Sequence, residues 1–169
     1  MISLDSIPLI FSEHKAAFEG VRHAAEEARE IIEAISPVIE FQTTRVCPDC
    51  SSVCCINRHS RFDRSDVIFM AALGEDIPAG DPGIADTDVC RFLGMRGCVR
   101  KRSQRPYRCT WFFCSALMDQ IMQQASATEY RKFIEMLRNI TQNRTTMMND
   151  FETISMNFSS SLRDPQTNK

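Results

Sequence analysis

Glycine is scarce in this chain, six residues in 169, and tryptophan occurs once, tyrosine twice and histidine three times. No glycine-rich strand-to-helix turn can be found that would cradle S-adenosylmethionine. Long apolar runs are missing too: nothing approaches the 18 or more consecutive apolar residues of a membrane span, so no membrane partner is expected. The opening Met1-Ile2-Ser3-Leu4-Asp5 has no positive charge, and Asp5, Glu13 and His14 interrupt any secretory core, which points to a cytoplasmic protein. Charge of one sign is also lacking. A formal net charge of -2 advertises neither a nucleic acid nor an acidic substrate. No Ser-His-Asp or paired-carboxylate spacing supports hydrolysis, so whether the chain is an enzyme is left open.

What the chain does have is eight cysteines, all in its middle, at 47, 50, 54, 55, 90, 98, 109 and 114. In a reducing cytosol, clustered cysteines bind metal or do redox chemistry more often than they form structural disulfides. The flanks carry the core instead. With 43% apolar residues, a single domain spanning 1–169 can bury roughly 70% of its unfolded surface.

Residues 1–45 read as an N-terminal helix, because Phe11, Phe18, Val21, Ala25, Ala28, Ile32 and Ile35 recur in steps of three, four and seven. Pro37 is expected to end it. Residues 116–169 form a C-terminal helical segment, with a short helix over Ser115–Gln124 leading into it. A long helix follows on the seam Tyr130, Phe133, Leu137, Ile140, Met147, Phe151, Ile154 and Phe158, broken only by Arg144. Ser126-Ala127-Thr128-Glu129 is its capping box. A helix over Ser65–Leu73 with Gly74 past its end, and a turn-rich loop over Ile77–Gly83, fall between the flanks. The fold class is therefore mostly α: long N- and C-terminal helices, paired antiparallel, around a loop-rich, metal-stabilised cysteine module at 46–115. An exposed part of the long helices, with several of the nine methionines on it, would suit a protein partner or a homodimer.

Cys47-Pro48-Asp49-Cys50 is a knuckle that lets two thiolates converge on one soft cation, and Cys54 and Cys55 follow at once. Cys90, Cys98, Cys109 and Cys114 supply a second set of four. Neighbouring side chains on an extended backbone point to opposite faces, so Cys54 and Cys55 should serve two centres, or one polynuclear centre. One division puts Cys47, Cys50, Cys109 and Cys114 on one ion and Cys54, Cys55, Cys90 and Cys98 on the other. Zinc suits four-thiolate sites, and iron or an iron-sulfur cluster suits the same ligands. Seven cations between Arg91 and Arg108 (Arg91, Arg96, Arg100, Lys101, Arg102, Arg105 and Arg108) have no acid among them. They would offset thiolate charge or pair with the acidic loop of Glu75, Asp76, Asp81, Asp86 and Asp88. Nucleic-acid binding beside Tyr107, Trp111 and Phe112 is a weaker reading. His59 is close enough in sequence to assist a centre, whereas His14 and His23 belong to the first helix. A dithiol redox pair at Cys47 and Cys50 fits poorly, for no strand precedes it.

The motif Cys47-x2-Cys50-x3-Cys54-Cys55, with Cys90-Arg-Phe-Leu-x3-Gly-Cys98 and Arg105-Pro106-x2-Cys109-x4-Cys114, resembles the YkgJ-type cysteine cluster family, a zinc- or iron-chelating CxxCxxCC domain. The match runs from Val46 to Ser115. It includes Phe92, Leu93, Gly97, Arg105 and Pro106, and a helix bearing Asp66 falls between the two halves as in that family. The resemblance implies a metal-binding protein with a structural, metal-handling or electron-transfer role. A related pattern in flagellin lysine N-methylase makes an iron-sulfur-dependent enzyme the alternative, although the radical spacing Cys-x3-Cys-x2-Cys is reversed here.

Overall fold

A computed structural model describes residues 2–51, 53–95 and 97–161, and it is 65% helical, which makes the fold mostly α. Among the described residues six α-helices follow one another: α1 (Ile7–Glu13), α2 (Glu19–Val46), α3 (Arg64–Leu73), α4 (Arg108–Trp111), α5 (Ser115–Gln124) and α6 (Ala127–Ser161). The described strands are β1 (Leu93–Gly94) and β2 (Gly97–Cys98), a small antiparallel hairpin.

The two long helices make the main pairing of the molecule. Gly20 at the start of α2 faces Asp150 in the later part of α6, and Gln42 near the end of α2 donates to Gln124 just before α6, so they run antiparallel. Val21, Ala25, Ala28, Ile32, Ile35 and Ile39 of α2 are buried, as are Phe133, Ile140, Met147 and Phe151 of α6. Apart from Ile39, which lies beyond the expected helix end, these residues belong to the two predicted seams, and the seams meet each other. At the far end Phe11, Phe18 and Phe151 pack with ring centroids 4.8 to 5.7 Å apart, which draws α1 into the same core.

Two helix ends depart from the sequence expectation. The first seam is split, with α1 and α2 separated by a turn over 14–18 that Arg22 fastens by donating to the Phe11 carbonyl. Pro37 does not end α2, which continues to Val46. The proline is exposed, so its ring and missing N–H fall on the solvent side, and the buried Ile35 and Ile39 on either side keep the helix packed through it. Elsewhere the signals hold. Ser126 and Glu129 close the capping box of α6, the Ser126 N–H donating to Glu129 at 2.8 Å and the Glu129 N–H to the Ser126 hydroxyl at 3.3 Å. Gly74 ends α3 in the left-handed region at φ 69°.

The fully buried aliphatic and aromatic side chains stop at Ile39, reappear over Val67–Ala72, stop again and resume at Leu117. The cysteine loops thus add only partly buried groups to the apolar core, among them Tyr107, Phe113 and Cys114. They are set on one end of the helix pair, hung from the C-terminus of α2, from α3 and from the start of α5.

Candidate metal centre

Four backbone segments deliver the cysteines, and hydrogen bonds stitch them together. Cys47 caps the C-terminus of α2, its N–H donating to the Thr43 carbonyl at 2.9 Å, and the Cys50 N–H turns back onto the Cys47 carbonyl at 3.2 Å. The chain then runs alongside the second cysteine segment. Ile56 bridges Val89, the Cys90 N–H donates to the Cys55 carbonyl at 2.9 Å, and the Asn57 N–H donates to the Asp88 carbonyl at 2.8 Å. This short ladder sets Cys54 and Cys55 beside Cys90. The hairpin pairs Leu93 with Cys98 across a turn that closes at Gly97, whose φ of 108° excludes most side chains. Cys109 lies on α4, its thiol donating to the His59 carbonyl at 3.6 Å, and Cys114 forms the N-terminal cap of α5.

None of the eight is in a disulfide, and none is fully buried. Their proximity shows in their acidity. Burial pushes the Cys47 thiol up, and negative charge on Cys54, Cys114 and Cys50 pushes it further. Burial likewise raises Cys109 to about 11, with Cys98 and Cys90 adding to the rise and Arg105 and Arg102 opposing it. Cys55 acts as hydrogen-bond donor to Cys54, which holds Cys54 down at about 6 and drives Cys55 up. Cys55 also feels Cys47 and Cys90. Cys47 thus senses Cys50, Cys54 and Cys114, whereas Cys109 senses Cys90 and Cys98. The backbone at 53–55 is not a regular strand.

Among the described residues, no three His, Cys, Asp or Glu side chains converge as a ready-made cage for a metal ion. The sulfurs are gathered but not closed on a point. The donor set fits a soft divalent ion in its chemistry: eight sulfurs, no disulfide, and thiolate charges that raise one another and that a cation would relieve.

Part of the basic run is turned inward, while Lys101 and Arg108 stay exposed. Arg102 and Arg105 both donate to the Glu40 carboxylate of α2 at 2.9 Å, and Arg102 also reaches the Cys109 carbonyl at 2.8 Å. Arg100 donates to the Gln104 carbonyl and Arg91 to the Ala79 carbonyl, while Arg96 lies outside the described residues. The expected pairing with the acidic loop is not what these side chains do. Asp86 instead takes Arg61, and Glu75 takes Gln104. Glu40 was missed because its partners lie some sixty residues on. His59 sits against the cluster, its Nδ1 2.9 Å from the Cys54 carbonyl, whereas His14 packs on Phe158 and His23 pairs with Glu27.

A buried ion pair was missed as well. Arg144 of α6 donates to Asp66 of α3 and to the Ser65 hydroxyl, both at 2.9 Å, with its guanidinium between the Phe69 and Tyr107 rings. Burial pushes the Asp66 carboxyl up, while Arg144 and the Tyr107 N–H pull it down. The signal was present in the sequence: Arg144 is the one break in the seam of α6.

Comparison with family models, with curated proteins and with solved structures found no match. No described helix is long and apolar enough to cross a membrane.

Proposed function

We propose that this chain is a metal-binding protein of the YkgJ-type cysteine cluster kind, in which Cys47, Cys50, Cys54, Cys55, Cys90, Cys98, Cys109 and Cys114 hold zinc as thiolates. The observation that carries the reading is the hydrogen-bonded ladder that sets Cys54 and Cys55 beside Cys90, with the Cys109 thiol held on the His59 carbonyl next to it and no disulfide among the eight. Bound zinc would cross-link loops that bury no apolar core of their own, and so would hold the module in one conformation. Arg102 and Arg105 offset thiolate charge at Cys109, and Glu40 keeps them there. Arg102 and Arg105 are committed to Glu40 and so are not offered to phosphates, which makes nucleic acid the weaker use.

Metal and acid-labile sulfide analysis of anaerobically purified protein tests the reading. Colourless, sulfide-free protein with about two zinc ions per chain, four thiolates to each, is the expected result. Brown protein with iron and sulfide that bleaches on reduction would replace zinc with an iron-sulfur cluster and favour electron transfer. Metal-free protein that takes up neither zinc nor iron in reductant overturns the proposal.

A further inference from the structure

Asp66 does more than pair with Arg144. One oxygen, Oδ2, accepts the Asp63 N–H and closes the N-terminal cap of α3. The other, Oδ1, accepts both Arg144 Nη2 at 2.9 Å and the backbone N–H of Tyr107 at 2.8 Å. Tyr107 lies two residues before Cys109 and opens α4, so its N–H fixes where that short helix begins. The same residue is held to α6 twice more, by its ring against Arg144 and by its hydroxyl 2.6 Å from the Thr141 hydroxyl. A four-residue helix has no stability of its own, and its orientation comes from such anchors. The side chains involved are deeply buried: Arg144 is 4% exposed and Asp66 6%.

We propose that Asp66, held by Arg144, is a positioning residue for Cys109. Its carboxylate docks the Tyr107 N–H onto the α3–α6 seam and thereby sets where the α4 thiol stands relative to the other cysteines. The consequence for metal rests on the metal-binding reading above; the anchoring itself does not.

Two charge-balanced double variants separate positioning from a purely structural role. In D66N/R144M the amide oxygen still accepts the Tyr107 N–H; in D66A/R144M nothing does. Both lose the ion pair and the return bond to Asp63. Iodoacetamide labelling of reduced, metal-free protein, mapped by mass spectrometry, reads each cysteine separately. Cys109 is expected to react roughly tenfold faster in D66A/R144M than in D66N/R144M, with Cys47 and Cys50 unchanged. Equal Cys109 rates in the two variants, or an equal rise at Cys47 and Cys50, overturns the proposal. Should D66A/R144M fail to fold, D66N/R144M decides alone: a near-wild-type Cys109 rate supports the anchor, and a raised rate specific to Cys109 overturns it. Cobalt(II) added to the same wild-type sample tests the metal reading separately. Absence of a thiolate-to-cobalt absorption band sinks that reading and leaves the labelling comparison standing.

Discussion

Phe151 is the place where one substitution should cost most. Its side chain is fully buried, its ring centroid lies 5.7 Å from Phe11 and 5.5 Å from Phe18, and the Arg64 guanidinium sits over its face at 5.6 Å. Phe151→Ala would remove an aromatic side chain from a junction of α1, α2 and α6 that has no other group to fill the space. A cost of about 3–5 kcal/mol is expected, because transfer and cavity terms add. Against a total stability of about 5–15 kcal/mol, that is a large share. With a urea slope of about 2 kcal/mol/M, the midpoint should fall by about 1.5–2.5 M. Phe151→Leu keeps most of the apolar volume but loses the ring contacts, so it should cost about 1–1.5 kcal/mol. Urea titration followed by circular dichroism measures both. A fall of under about 0.5 M for the alanine variant at unchanged slope would refute the packing of α1 against α6, as would a leucine variant as damaging as alanine.

Removing metal should loosen the loops and spare the helices. In chelator and reductant, helical circular dichroism is expected to stay near its starting value while trypsin cuts faster at the arginines between Arg58 and Arg108; parallel loss of the helical signal would contradict a core independent of the cysteines. Glu129 is held below the ordinary glutamate range by the Ser126 hydroxyl and N–H, so its contribution to the α6 cap is present above the unfolded pKa and lost as pH falls through the folded one. Protection of the amides in the first turn of α6, expressed relative to their intrinsic exchange at each pH, should therefore fall on acidification in the wild type and stay at its acid level at every pH in Glu129→Gln; wild-type protection without pH dependence would refute the cap. Gly74→Ala meets no atom within 4 Å, so it pays only for the left-handed backbone, about 1 kcal/mol. Thermal unfolding reads it, and an unchanged melting temperature would mean that the turn is not left-handed.

The helices were legible in the sequence because a period of three and four residues is a local signal that burial then enforces. The Ser115–Gln124 helix, the Ser126 cap and the Gly74 stop all stand where composition puts them. Pro37 was misread for a physical reason: its penalty depends on which side of the helix it occupies, and that side is known only once α6 is in place. The split between α1 and α2 was hidden because Phe11 and Phe18 keep helical spacing across the turn and pack on the same partner, Phe151.

The site was legible as a set of residues and illegible as an arrangement. Spacing identifies which cysteines belong to one module, but their neighbours are decided by backbone pairings such as Cys55 with Cys90, which join residues far apart in the chain. Charge shows the same limit. Arg102 and Arg105 looked available to the acidic loop just before them, yet a buried guanidinium needs a carboxylate it can reach without carrying water inside, and Glu40 on α2 is where the fold provides one. Arg144 makes the point from the opposite direction. A cation in the middle of an apolar seam is costly unless a partner waits for it, so the interruption itself implied a buried acid on another element. Asp66 is the acid on the helix between the two cysteine halves, and pairing it with that interruption places α3 against α6 on sequence grounds alone.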